Sequence, residues 1–317
     1  MRFDTPVLFI VFNRPESTAR VFESIKKLQP QRLFIAVDGA RNDADKEKCE
    51  QVKRIIEGVD WDCDVKYLYR DKNVGVKLAG SSAIDWFFTQ VEQGIILEDD
   101  CLPDQSFFWY CRDLLAYYKD DERVWHISGN NFQPKMVTDA SYYVSRIPHV
   151  WGWATWRRAW QYYDINIKDF PDFVKKGRII DLFPKKIHQQ FWLDVFNNNY
   201  LGLDNGWDFQ WAFVMFAHNG LAIHPRVNLI SNIGFGADAS HSFDQLSPYA
   251  NLPTTTIELP LSHPISLLPN QKADNYVMSH NLGATWHSFF LKKVLKKIGI
   301  FDLVKKNYYR LKNLRPR

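Results

Sequence analysis

The sequence predicts an α/β protein built on a mostly parallel sheet with helices on both faces. Three observations carry that prediction. Strand-like and helix-like stretches alternate through the first hundred residues, the fourth strand stretch is apolar throughout, and polar or charged residues collect at the strand ends. A chain of 317 residues with 46% hydrophobic and 24% charged residues suits one large folded unit with appended segments.

Val7–Phe12 is β-rich and reads as the first strand, followed by Glu16–Leu28, whose apolar spacing suits an amphipathic helix. Leu33–Val37 is the second strand and ends at Asp38-Gly39; Asp45–Glu57 is the helix after it. Val65–Tyr69 and Lys77–Gln90 repeat the pair, and Gly94–Leu97 supplies the short fourth strand. In such a sheet ligands collect at the carboxyl ends of the strands. Those ends carry Asn13-Arg14, Asp38-Gly39, Arg70-Asp71 and Glu98-Asp99-Asp100.

Beyond Val124–Ser128, a further strand, the alternation weakens. Tyr142–Trp160 is dense in aromatics, and Lys186–Asn198 and Trp207–His218 read as helices. Gly234–Asn270, rich in Gly, Ser, Asn and Pro, reads as a loop or lid rather than packed structure. This divides the chain into a body over 1–283, with a ligand-binding half over 1–130 and a second half over 131–283, and a tail over 284–317.

The tail holds ten Lys/Arg and one acid, so the body is net acidic although the whole chain is +4. A basic tail on an acidic body argues against a general nucleic-acid-binding protein and for a local electrostatic anchor. In WHSFFLKKVLKKIGIFDLVKKNYYRLKNLRPR, residues 286–317, Phe289, Phe290, Val294, Leu295 and Ile298 interleave with lysine pairs. That spacing makes a basic amphipathic helix, kinked near Gly299, that suits an anionic membrane surface; packing on the body with lysines in solvent is the alternative. The apolar run at the N-terminus is too short to span a membrane and lacks a small-residue cleavage site. A cytoplasmic protein, peripheral on the inner face of the membrane, is therefore expected, with Cys49, Cys63, Cys101 and Cys111 reduced.

Glu98-Asp99-Asp100 puts three carboxylates directly after a strand buried on both faces, where uncompensated negative charge is costly. A divalent metal bridging carboxylate and diphosphate oxygens neutralises them. The competing reading makes them caps of a helix beginning near Ser106, which explains one acid more readily than three.

The stretch GIILEDDCLPDQSFFWYCRDLL resembles the metal-binding segment of N-acetylglucosaminyltransferase I, an inverting glycosyltransferase of the GT-A fold, and of bacterial transferases that build surface polysaccharides. The resemblance continues in order through VLFIVFNRP, AVDGAR, RVWHISGNN, HVWGWATWRRAW, GWDFQWAF and ISNIGFGADASHS, covering about residues 6–245. It implies a GT-A catalytic body that uses a nucleotide sugar, a UDP-sugar in particular, with Mn2+ or Mg2+, and a glycan or lipid-linked glycan as acceptor. Carried onto this chain, it implies Asp100 as the metal ligand, Asp99 facing the ribose and Glu98 facing the donor sugar. Asp38 would bond the uracil ring and Arg14 would lie beside the nucleotide. Without the resemblance, Asp38-Gly39 is equally a turn dipeptide and Arg14 a surface charge.

Inversion at an anomeric carbon needs a carboxylate to deprotonate the acceptor hydroxyl. Asp208, after Trp207 at a predicted helix start, resembles the family's base; a helix cap is the alternative role, and Asp204 is a second base candidate. Trp151-Gly152-Trp153 resembles the loop beside the donor sugar, where glycine permits close backbone approach. Trp151 replaces an aliphatic residue there, which unsettles an N-acetylglucosamine preference. His241 resembles a histidine of a donor-ordered loop. Two other classes compete: a sugar nucleotidyltransferase, which would want a Gly-rich phosphate loop where Val11–Glu16 has no glycine, and a non-catalytic carbohydrate-binding relative.

Overall fold

In a computed structural model that describes residues 2–235 and 247–286, the chain forms one eight-stranded mixed sheet flanked by helices. Parallel strands β1 (Val7–Val11), β2 (Arg32–Val37), β3 (Asp64–Tyr69) and β4 (Gln93–Glu98) alternate with helices α1 (Pro15–Leu28), α2 (Asp43–Ile56) and α3 (Val76–Phe88). Each start has a local cause. Pro15 opens α1 with its fixed φ and missing N–H, and the Asn42 side chain accepts from Asp45 N at the head of α2.

The strands run in the order β3-β2-β1-β4 and continue through β8 (Trp153–Trp156), β6 (Val124–Ser128), β9 (Leu221–Pro225) and β7 (Tyr142–Ser145). Antiparallel β8 lies between β4 and β6, and β6 lies parallel to β9. The aromatic stretch 142–160 thus contains two strands that period and composition did not separate. β6, from before residue 130, sits between strands from after it, so the two halves of the body share one sheet.

One face of the sheet packs against α1, α2 and α4 (Gln105–Tyr117). The other buries the aromatic segment, where the Trp153 ring lies within about 6 Å of Trp160, Trp207 and Trp211 by ring centroid. Beyond it lie α6 (Phe170–Lys175), α7 (Arg178–Leu182), α8 (Lys186–Tyr200) and α9 (Asp208–Ala217). High aromatic content is largely accounted for by packing: Trp153 is buried on this face and Trp156 on the face covered by α4.

A second, two-stranded sheet pairs β5 (Cys101–Pro103) with β10 (Ile230–Asn232). The described part of the predicted loop, 247–270, contains no helix or strand, but it is not a free lid. Ile257 and Leu261 are buried in the core, Thr255 N donates to Asn228 O, and Ser262 N donates to the Ser141 hydroxyl. His241 and the tail beyond Trp286 lie outside the described residues. Among the described residues, no helix is long and apolar enough to cross a membrane.

Candidate active site

Parallel pairing of β1 with β4, in the register Ile10↔Glu98, sets the two strand ends side by side. The chain leaving β1 therefore meets the acidic triplet. Phe12 N donates to Asp99 Oδ2 (3.2 Å), and Arg14 Nη1 donates to Asp99 Oδ1 and Asp100 Oδ2, both at 3.0 Å. Arg14 is thus a partner of the triplet rather than a surface charge.

The capping explanation for the triplet does not hold. Asp104 caps α4, its side chain accepting from Ser106 N (2.9 Å), and β5 separates it from the triplet. Burial pushes Glu98 above the ordinary carboxylate range, and Asp100, Asp99 and Asp208 push it further, with Arg14 opposing. Burial likewise raises Asp99 against the pull of Arg14. Three carboxylates against one guanidinium leave excess negative charge in a poorly solvated place.

The β5/β10 pair folds residues 230–235 over the triplet. Ile233 N donates to the Asp100 carbonyl (2.8 Å), and Gly234 lies so close that a Cβ there would sit 2.2 Å from Asp100 Oδ2. Only glycine fits beside that carboxylate without moving it. The same strap closes on Gly152, whose φ of +63° is left-handed and whose Cβ would meet Ile230 Cδ1 at 2.5 Å. Residues 230–235 were quoted in the family pattern, but their role as a strap was not legible, because a three-residue strand gives no periodicity.

Asp208 and Trp151 share the wall of a cavity of about 270 Å3, with Phe132, Phe209, Phe235 and Tyr249 among its other walls. The Trp151 ring meets Phe132 and Phe235 edge-on at 5.4 and 5.7 Å, and Phe132 meets Tyr249 at 5.4 Å. Among the described residues, no lysine or arginine lines it. Asp208 is the first residue of α9, where the helix dipole favours the carboxylate form. Asp204 has a different duty: its Oδ1 accepts from Gly206 N (2.8 Å) and shapes the turn before α9.

Behind the cavity wall, two histidines, His126 of β6 and His224 of β9, hold the segment 147–149, which carries a third, His149. Trp211 Nε1 donates to His126 Nδ1 (3.2 Å), so the His126 Nε2 proton faces His149 O at 2.9 Å. His224 Nε2 faces Ile147 O at 2.8 Å. Burial drives His126 down to about 3 and His224 to about 4, and lowers His149 well below its ordinary value. They are neutral scaffold groups.

Asp38 lies two strands from the triplet, at the end of β2, and its carboxylate is occupied by the protein. Oδ1 accepts from Gly39 N (3.0 Å) and Val74 N (3.1 Å), and Oδ2 accepts from Asn73 Nδ2 (2.8 Å). Asp38 thus fixes the turn that feeds α3. Asn73 was missed by sequence reasoning; the signal was Asn73-Val74-Gly75 before a helix, with Gly75 at φ +81°. The structure therefore brings together Arg14, Glu98, Asp99, Asp100, Trp151, Gly152 and Asp208, and sets Asp38 at the neighbouring strand end.

Among the described residues, no three His, Cys, Asp or Glu side chains form a cation cage. The donor chemistry nevertheless fits a hard divalent cation: Asp99 and Asp100 offer carboxylate oxygens in a site of excess negative charge. Mg2+ and Mn2+ are routinely held by one or two carboxylates, with substrate phosphates and waters filling the other positions.

No protein-family model matches the chain, and no curated protein matches its sequence. Solved structures similar to it include HddC from Yersinia pseudotuberculosis, 10% identical over 50% of this chain and 80% of that one, with a TM-score of 0.31. Mouse xyloside xylosyltransferase 1 is 13% identical over 68% of this chain and 82% of that one, with a TM-score of 0.31. The glycosyltransferase GlyE of Streptococcus pneumoniae is 11% identical over 58% of this chain and 39% of that one, with a TM-score of 0.25.

Proposed function

We propose that this chain is an inverting, metal-assisted glycosyltransferase of the GT-A type that moves a sugar from a nucleotide sugar, a UDP-sugar in particular, to a glycan or lipid-linked glycan. One observation carries the reading: a buried acidic strand end lies within electrostatic reach of Asp208, which opens into an aromatic cavity. Separated carboxylates serving different ends of one reaction are what transfer with inversion needs.

In this reading the donor diphosphate lies at the ends of β1 and β4, beside Arg14 and the triplet. Asp99 and Asp100, the latter as principal ligand, would hold Mn2+ or Mg2+, which when bound offsets the negative charge of the leaving diphosphate. Asp38 and the turn it fixes at Asn73 form the wall toward the base, and Asp99 faces the ribose. Glu98, Trp151 and Gly152 border the donor sugar. His241, outside the described residues, is retained as a donor contact.

Asp208 takes the proton of the acceptor hydroxyl as its oxygen attacks the anomeric carbon, and the bond to the diphosphate breaks with its electron pair leaving on phosphate. Aromatic walls exclude water and offer flat faces to sugar rings.

Thermal stabilisation of the purified protein by a panel of nucleotide sugars, with and without manganese, tests the donor class. Manganese-dependent release of UDP then separates an enzyme from a binding relative. Consumption of a nucleoside triphosphate with pyrophosphate release would instead identify a nucleotidyltransferase. Peripheral attachment through residues 286–317 to anionic lipid is part of the same proposal, tested by vesicle binding of the truncated chain.

A further inference from the structure

The corner formed by α6, α7 and the end of α8 carries an unusual surface. Its inner side is ordinary: Phe170, Phe173 and Ile179 are buried in the aromatic core. Its outer side exposes large apolar residues at two turns. Val174 and Ile180 flank the α6–α7 turn at Gly177, with Ile180 63% exposed, and Tyr200, Leu201 and Leu203 form the turn that ends α8, with Leu201 58% and Leu203 71% exposed.

The two turns belong to one surface. The Phe170 ring meets Tyr200 at 5.7 Å, so the start of α6 touches the end of α8, and Val174 lies one helical turn, about 6 Å, further along α6. Exposed Lys168, Lys175, Arg178, Lys185 and Lys186 lie in the same stretch of chain as Val174 and Ile180, where Lys176 pairs with Asp172 at 2.6 Å and Asp169 and Asp181 are the other acids. Exposed apolar side chains set among lysines and arginines are what an interfacial protein presents to anionic lipid: the apolar groups enter the headgroup region and the cations meet phosphate.

We propose that this corner is a membrane-contact surface, seated on anionic phospholipid through Val174, Ile180, Leu201 and Leu203. It is separate from the tail at 286–317, and it deepens the proposed function, on which it rests for the acceptor, by favouring a lipid-linked one. Leu203 is five residues before Asp208, so the two Cα atoms lie within about 18 Å even at full extension. A hydroxyl presented at the bilayer surface is therefore delivered close to the proposed base.

Amide hydrogen exchange of the full chain, alone and with phosphatidylcholine vesicles containing phosphatidylglycerol, tests the proposal. Protection is expected in peptides covering 174–182 and 200–205, and the paired variant Leu201→Ser with Leu203→Ser should lower vesicle affinity at least tenfold while melting at the same temperature as the parent. Protection confined to peptides beyond residue 286 would overturn it, as would no vesicle binding. Protection of these turns that rises with protein concentration in the absence of lipid would also overturn it, identifying a second copy as the occupant. Manganese-dependent donor hydrolysis should be unchanged in the paired variant. Loss of that hydrolysis in the parent would refute the transferase reading without touching the membrane surface.

Discussion

Arg14→Met gives the sharpest test of how the acidic strand end is held. In the parent, one guanidinium nitrogen sits 3.0 Å from both Asp99 and Asp100, and the three side chains are only 17%, 7% and 14% exposed. At that burial the pair belongs to the regime in which removing one partner leaves an uncompensated charge, costing about 3 kcal/mol or more. For a chain of this size that corresponds to a fall in Tm of about 4–5 °C. The deficit should depend on pH. Burial already raises Asp99, and Arg14 is what opposes it, so without Arg14 the carboxylate binds protons at higher pH in the folded state than in the unfolded one. Extra proton uptake by the folded state means that the variant regains stability as pH falls from about 8 to 5. Manganese should narrow the deficit at pH 8, because a divalent cation substitutes for the lost positive charge. Thermal melts of both proteins across that pH range, with and without manganese, read all three effects. A deficit independent of both pH and manganese would refute the idea that Arg14 serves as the electrostatic counterpart of the triplet.

Four further outcomes follow from the geometry. Asp208→Asn should lower transfer by roughly 100- to 10,000-fold while leaving UDP binding intact in calorimetry; near-normal transfer would remove Asp208 as the base. Gly234→Ala should weaken the manganese-dependent stabilisation by donor, because the added Cβ would fall 2.2 Å from Asp100 Oδ2 and must displace either the carboxylate or the strap. Trp151→Ala should raise the KM for donor more than it lowers kcat, since it removes two edge-on ring contacts worth about 0.5–1.5 kcal/mol each from the cavity wall. His126→Asn should lose less stability than the parent as pH falls from about 6.5 toward 4, because buried His126 stays neutral while its unfolded counterpart takes up a proton; the raised carboxyls of Glu98 and Asp99 act in the opposite sense in both proteins, so urea titrations at each pH read the difference between the two.

How much of this was legible in the sequence depended on what kind of signal each part leaves. The βαβ half was readable because β1, β2 and β4 have apolar interiors and regular helix-like stretches separate the strands, and β1 to β4 lie within a residue or so of the expected spans. The second half was not. β7 and β8 are four-residue strands buried at every position, so neither alternation nor helical period survives. The same limit hid β5 and β10, whose three-residue pairing is set by what they cover.

The triplet was legible as an anomaly, since three acids after a buried strand demand a counter-charge, but its counter-charge was not. Arg14 stands 84 residues before Glu98 in the chain and becomes its neighbour only through the parallel register of β1 and β4. Asp38 shows the converse. Its position at a strand end was predicted, yet the structure gives its carboxylate three protein donors, so its effect on a bound base runs through the Asn73 turn as well as through direct contact. Asn73→Ala separates the two routes. If Asp38 acts through the turn, Asn73→Ala should weaken UDP binding nearly as much as Asp38→Asn does; if the carboxylate alone recognises the base, freeing it from Asn73 should leave affinity unchanged or improve it.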